Sequence, residues 1–434
     1  MKKGAKEKMK IYELNKMSEE EKKKIIGRNK MAIEGIKEKV RPIIEDIRKY
    51  GDKAVLKYAE MFDKVKLSVL RVSDDEIKEA YGKAGKEIVE AIKKQISYSK
   101  KFQEAQLKEK KWQMEISPGV SAGQIIKPIE SVGLYVPGGT ATYPTVMQIL
   151  AIAAKVAGVK RIVACTPNPS PSVLVAADLA GVDEVYRIGG IQAIAAMAYG
   201  TETIKPVKKI AGPGNIYVTA AKILVSGEVA IDMPAGPSEI LIIADETANP
   251  RFLALDMLAQ AEHDKNASCV LVTDSARLAD ETDKEIEKQK DELPRKEIIE
   301  ESLKRNGAII LTECLDNAIE FSNLYAPEHL LIATKNDEGI LKMIESAGSV
   351  YLGDYSPVAA GDYASGVNHV LPTAGFAKMY SAVGIDTFIK KIEFERITKA
   401  ALQRLNNEIV QKIAKLEGLD AHAKSVEIRL EEEK

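Results

Sequence analysis

Cysteine, histidine, aromatic residues and net charge are all scarce in this chain of 434 residues. The three cysteines, Cys165, Cys269 and Cys314, are odd in number, far apart and free of any CxxC spacing, which points to a soluble, reduced, cytoplasmic protein. Lysine and arginine total 63 against 64 acidic residues, for a formal charge of −1. Nothing in that balance asks for nucleic acid or an anionic membrane, and no Arg-rich arm or basic-aromatic stripe is present. The most apolar run, Thr145 to Val159, is interrupted by Gln148 and Lys155, so it reads as a buried helix rather than a membrane span. The Lys-rich start is followed by IYELNKMSEE instead of an apolar core, which argues against an ordinary signal peptide. Neither GxGxxG nor GxxxxGK[ST] occurs, so no standard dinucleotide fingerprint or P-loop is supported.

What the chain does have is alternation. Up to about residue 115 it reads as charged helix: Ile33, Ile36, Val40, Ile43 and Ile47 recur at helical spacing, as do Ile77, Ala80 and Ala84. Pro42 predicts a kink or a fresh start in the first helix, and Ile88 to Lys110 reads as one long Lys/Gln-rich helix. From Ser131 short apolar runs alternate with helical patterns. Strands are predicted at Val132–Val136, Arg161–Cys165 and Glu184–Ile188, with helices at Pro144–Val156, Pro171–Leu179, from Ile191, and at Ile216–Leu224. After Pro234 the alternation resumes, with strands at Ile240–Ala244, Cys269–Thr273, Ala308–Leu311, Leu330–Ala333 and Ser349–Leu352. Strand and helix in turn argue for βαβ units with parallel sheets, here two α/β units in succession. The last segment carries an apolar helical face, Ile397, Ala401, Leu405, Ile409, Ile413 and Leu416, with Gly418 as a stop. Beyond His422, Val426, Ile428 and Leu430 alternate at period two, which predicts extended chain.

The polar chemistry is concentrated. Gly353–Thr373, GDYSPVAAGDYASGVNHVLPT, shows no helical or strand period and holds Asp354, Asp362, two tyrosines and His369 in 21 residues. Connections of that length are uncommon unless functional, so the segment is expected to line an active site, a surface Ω-loop being the plainer alternative. Asn249 and Pro250 look like an N-cap and first-turn proline, which puts Gln260 and His263 on one helix face at i and i+3. That pair can hold a divalent ion, or His263 can be a hydrogen-bonded core residue. Glu328 and His329 follow Pro327 at the start of a strand. Neighbouring side chains of an extended chain point apart, so these two are expected to do different proton-transfer work, unless they form a solvated strand-edge pair. The glycines at Pro137–Gly139, Gly189–Gly190 and Gly212–Asn215 each close a strand before a helix; backbone N–H groups there can hold phosphate, although simple turns explain each one. A thiol route, in which a cysteine forms a thiohemiacetal, would need one of the three cysteines beside a base, and none adjoins a histidine in sequence.

Together these segments closely resemble the histidinol dehydrogenase family. The resemblance lies in Gly133–Gly139, Gly189–Gln192, Ala211–Asn215, Pro234–Glu239, the Gln260/His263 helix, Tyr325–Leu330 and Gly353–Thr373, in the family's order, with a shorter match around His422. It implies two incomplete Rossmann-like parallel-sheet domains, with boundaries at 126–236 for NAD and 237–380 for zinc and substrate. A helical region, 1–125, would pack on that core, and a C-terminal helical arm, 381–434, would reach a partner subunit in a homodimer. It implies oxidation of L-histidinol to L-histidine through the aldehyde with two NAD+ and one zinc ion. Gln260, His263, Asp362 and His422 would be zinc ligands, Glu328 and His329 the acid/base residues, and Ser238, His369 and Glu417 further substrate contacts. Tyr135, Gln192 and Asn215 would meet NAD. His422 and Glu417 would act across the dimer.

Overall fold

The computed structural model describes residues 9–28, 32–107, 109–138 and 142–431. These fall into two compact units. Residues 1–106 with 129–388 form the larger, and residues 107–128 with 389–434 the smaller.

The larger unit is built on two parallel sheets. The first has five strands in the order Glu184–Tyr186, Arg161–Cys165, Ser131–Tyr135, Lys209–Ala211, Ala230–Ile231. In chain order that is third, second, first, fourth, fifth, the doubly wound Rossmann arrangement without its sixth strand. The second repeats it with Gly307–Leu311, Ser268–Thr273, Glu239–Ala244, His329–Ala333 and Ser349–Leu352. The short strand Ile11–Glu13 adds to the edge beside Gly307–Leu311. All six residues of Glu239–Ala244 and of Ser268–Thr273 are buried. Helices cover both faces of such strands, which is why they read as unbroken apolar runs rather than as alternation. The covering helices start where small polar residues can cap them: the Asn249 side chain accepts from the N–H of Arg251, and Asn215 from those of Tyr217 and Val218. Helix Pro144–Ala157 is buried almost throughout, as its apolar run requires. Among the described residues no helix is long and apolar enough to cross a membrane.

Several local expectations change. Helix Ala32–Tyr58 runs straight through Pro42 and breaks instead at Gly51, whose φ of +52° only glycine adopts cheaply. The long helix ends at Gln106, and Lys111–Ser117 is already a strand. In the smaller unit that strand pairs antiparallel with Val120–Pro128, which pairs with Ile389–Ile397. The smaller unit therefore opens its last segment with a strand; its helical part begins at Lys399. The stretch after His422 is helical, Asp420–Glu427, not extended. Gly353–Thr373 is not uniformly irregular either: a turn of α-helix at Val358–Ala360 runs into a π-helical turn at Gly361–Ser365.

Candidate active site

The side chains that could do proton chemistry gather at the amino ends of the second sheet. Glu239 opens its central strand and His329 the neighbouring one, and both are buried with Glu328. Glu328 Oε2 accepts from Ser238 Oγ at 2.6 Å and from the Glu239 N–H at 2.8 Å. His329 Nδ1 lies 2.9 Å from the Glu239 carbonyl oxygen. A carbonyl can only accept, so Nδ1 carries the proton and Nε2 keeps its lone pair. Nε2 is shielded from solvent and has no hydrogen-bond partner. The expected divergence of adjacent side chains does not hold here: Glu328 Oε2 curls back to 3.4 Å from His329 Nδ1. The hydrogen bonds from Ser238 and Glu239 draw the carboxylate round.

Burial sets the protonation states. It pushes Glu328 well above the ordinary carboxylate range, with the Glu239 charge adding, against the pull of Ser238, the Glu239 N–H and Arg28. It lowers His329, while the charge of Asp362 and the Glu239 carbonyl work the other way. A neutral imidazole beside a carboxyl with a raised pKa is a pair suited to general acid–base work near neutrality.

Around this pair lie the other predicted residues. Asp362, on the π-helical turn, is pushed up to about 6 by burial, opposed by His329. The π-helical turn packs on Tyr351, for a side chain at Gly361 would strike the Tyr351 ring at 2.4 Å. That ring lies 6.1 Å from the imidazole of His329. His369 is pushed down to about 3 by burial, with His329 and His263 adding, and neither of its ring nitrogens has a hydrogen-bond partner. Gln260 is buried near the end of helix Pro250–Ala261. His263 falls one residue beyond the Glu262 C-cap, and its N–H reaches the Gln260 carbonyl at 3.3 Å, which continues the turn. His263 is exposed on a cleft of about 580 Å³ that Tyr143, Arg295 and Tyr363 also line. Partial desolvation there pushes it down to about 4, with His329 and Arg295 adding.

Among the described residues, no three His, Cys, Asp or Glu side chains come close enough to hold a metal ion. The residues present do fit part of such a site. Asp362 Oδ1 is shielded and without a partner, and an imidazole nitrogen, a carboxylate oxygen and the amide oxygen of Gln260 make an N/O donor set of the kind zinc accepts. His422 and Glu417 lie in the smaller unit, both exposed.

The match to known proteins runs nearly end to end. The family model described as histidinol dehydrogenase matches residues 26–430. A histidinol dehydrogenase of Methanothermobacter thermautotrophicus is 51% identical over 411 residues, which is 94% of this chain and 96% of that one. The one from Bacillus cereus is 46% identical over 416 residues, covering 95% and 96%. The crystal structure of histidinol dehydrogenase from Elizabethkingia anophelis superposes with a TM-score of 0.92 at 44% identity, covering 97% of this chain and 98% of that one.

This chain belongs to the histidinol dehydrogenase family. It is thereby an oxidoreductase, and its fold is the α/β architecture of that family.

For a dehydrogenase, the carboxyl end of the first sheet is where a dinucleotide is sought, at the point where the strand order reverses. Tyr135 ends the central strand there, Asn215 follows its neighbour, and Gln192 sits in the first turn of helix Gly190–Tyr199. The Tyr135 hydroxyl accepts from the Gly190 N–H at 3.1 Å, and Asn215 Oδ1 is spent on capping its helix. Gln192 donates to Asp63 at 2.9 Å, and the Gly189 N–H donates to the same carboxylate oxygen at 3.4 Å. The helix start expected to face phosphate is thus held by Asp63. Gln192 Oε1 remains buried and unpaired. Close packing accounts for Gly212: with φ at +132°, a Cβ there would lie 2.1 Å from the Tyr135 carbonyl oxygen. Gly139 lies outside the described residues.

Cys165 pairs in register with Tyr135 at the end of the first sheet. Cys165 and Cys269 are buried in the sheets with their thiols pushed up by that burial, and Cys314 is the exposed N-cap of helix Leu315–Tyr325. Residue-by-residue reading missed Arg28, Asp63, Glu239 and Tyr351. Glu239 had a visible signal, an acidic residue opening the otherwise apolar strand EILIIA.

Proposed function

We propose that this chain oxidises L-histidinol to L-histidine through L-histidinal, consuming two NAD+ and using one zinc ion per site, as a step of histidine biosynthesis. Family membership supports the substrate, and the observation that carries the mechanism is the bare, buried Nε2 of His329 beside the raised carboxyl of Glu328.

Gln260, His263 and Asp362 would hold the zinc, with His422 of a second copy of the chain completing the set. Bound zinc would supply a fixed positive charge that orients the imidazole and amine of the substrate, and bound NAD+ the hydride acceptor. Tyr135, Gln192 and Asn215 would meet NAD at the first sheet. His329 takes the proton of the substrate alcohol at Nε2 as the hydride leaves. Its Nδ1–H, held on the Glu239 carbonyl, keeps the ring in the tautomer that step requires. Glu328, once ionised, takes a proton from the water that adds to the aldehyde while His329 returns its proton to the aldehyde oxygen; His329, neutral again, then serves as base when the hydrate is oxidised. Ser238 steadies the Glu328 carboxylate. His369, and Glu417 from the second copy, would complete the substrate pocket. We place the enzyme in the cytoplasm as a homodimer, without nucleic-acid or membrane partners, in keeping with three free thiols and balanced charge.

The test is NADH formation by purified protein given L-histidinol and NAD+, with the product identified. The expected outcome is two NADH per histidine, lost on chelation and restored by zinc. One NADH with free aldehyde would refute the role of Glu328, and no turnover in zinc-loaded protein would refute the substrate.

A further inference from the structure

Among the described residues only four other than glycine adopt positive φ: Lys64, Asn168, Ala326 and Ala374. Ala326 and Ala374 are both tied to one buried ion pair, Arg28–Glu239, whose side chains are 3% and 1% exposed. The Arg28 guanidinium meets the carboxylate as a fork, with Nε 2.5 Å from Oε2 and Nη2 bonded to Oε1. The same guanidinium donates to the carbonyls of Tyr325 at 3.0 Å and Ala326 at 3.4 Å, and its plane lies 3.4 Å over the Tyr325 ring. Tyr325 is anchored in turn on Ser268 at 2.9 Å. Arg28 therefore clamps the strained turn that launches Glu328 and His329. Glu239 grips the other side. Its Oε1 accepts from the N–H of Glu328 at 3.2 Å and of Ala374 at 3.1 Å. Its backbone N–H holds the Glu328 carboxylate, and its carbonyl holds His329 Nδ1.

We propose that Arg28 and Glu239 are positioning residues: their ion pair locks the left-handed turns at Ala326 and Ala374, and through them the orientation of Glu328 and the tautomer of His329. Left-handed alanines are strained and persist only where the surroundings over-determine them. The fork is what over-determines them here, since a planar guanidinium can hold a carboxylate, two carbonyls and an aromatic face at once, and an ammonium cannot. The pair touches no substrate; it acts through the acid–base residues, and so this inference rests on the function proposed above.

Two variants of the zinc-loaded, full-length protein test it. Arg28→Lys keeps the charge and removes the fork; Glu239→Gln keeps the shape and removes the charge. Each is expected to lower kcat with L-histidinol about 10- to 100-fold, the range for partners that orient a reacting group, while KM stays within about threefold and zinc content is unchanged. Selective ¹⁵N-histidine labelling supplies a readout that simple destabilisation does not move, and only four histidines contribute signals. The His329 signals, assigned by their loss in His329→Asn, should show Nδ1 protonated and Nε2 bare in the wild type and a mixed tautomer in both variants. Wild-type protein with Nδ1 bare, or a folded variant with unchanged kcat and an unchanged His329 signal, overturns the proposal. Should wild-type protein fail to oxidise histidinol, the substrate reading falls alone. The tautomer shift in the variants still decides the positioning role, because it needs no turnover.

Discussion

Replacing Glu328 by Gln separates the two oxidations. The side chain keeps its volume, and its amide oxygen can still accept from Ser238 Oγ and the Glu239 N–H, which Oε2 now meets at 2.6 and 2.8 Å. Only the ability to take a proton is removed. A positioned general base contributes roughly 10²- to 10⁴-fold, or about 3 to 5 kcal/mol of barrier. That loss should fall on oxidation of the aldehyde, whose attacking water needs the base. The alcohol step, served by His329 Nε2, should drop by no more than about tenfold. Single-turnover NADH formation from L-histidinol and then from L-histidinal measures each step, and an equal loss in both would falsify the assignment. The variant also makes a stability prediction with a definite sign. A carboxyl whose folded pKa lies above its unfolded value binds its proton more tightly in the native state, so the stability it contributes is present at low pH. That contribution is lost as pH rises from the ordinary carboxylate range, about 4.3 for Glu, through the raised value. Burial raises Glu328 in this way. Glu328→Gln should therefore gain stability relative to wild type across that window, and urea melts at pH 4, 6 and 8 measure it. A difference that shrinks with pH would refute the raised pKa.

His329→Asn should abolish both oxidations while bound zinc, measured by elemental analysis, stays at the wild-type level; zinc loss would make His329 a ligand instead. Lys222 and Asp232 form a buried ion pair with side chains 2% and 1% exposed, and both hold the Gly212 backbone ahead of Asn215. Lys222→Met leaves the Asp232 charge buried alone and should cost about 3 to 5 kcal/mol in urea unfolding, most of it recovered by adding Asp232→Asn. Replacing Cys165, Cys269 or Cys314 by Ala should leave two NADH formed per histidine; loss of the second NADH in any one of them would revive the thiol route.

The parallel-sheet strands were legible because each is an apolar run bounded by turn residues. Arg161–Cys165 and Ser349–Leu352 come out with the bounds read from sequence, and Asn249–Pro250 caps its helix as expected. What escaped was structure without a period. Ile11–Glu13 is three residues long, and Lys111–Ser117 is exposed at nearly every position, so neither carries a stripe to read. The alternation of Val426, Ile428 and Leu430 misled because three residues of period two weigh little against a helix that buries Ala423. Pro42 lies well inside helix Ala32–Tyr58 without ending it, whereas Gly51 occupies a backbone conformation no other residue adopts cheaply.

Local information, taken alone, determined the alternation of strand and helix, the capped helix ends, and the identity of the groups able to move protons or bind a metal. All of that is encoded within a few residues, where periodicity, capping and residue chemistry act. Tertiary structure alone decided how those groups work. The tautomer of His329 follows from a carbonyl 90 residues away in sequence, and the turn that presents it is clamped by an ion pair spanning 211 residues. Such contacts draw their strength from desolvation and fixed geometry, and neither exists until the chain has closed around them.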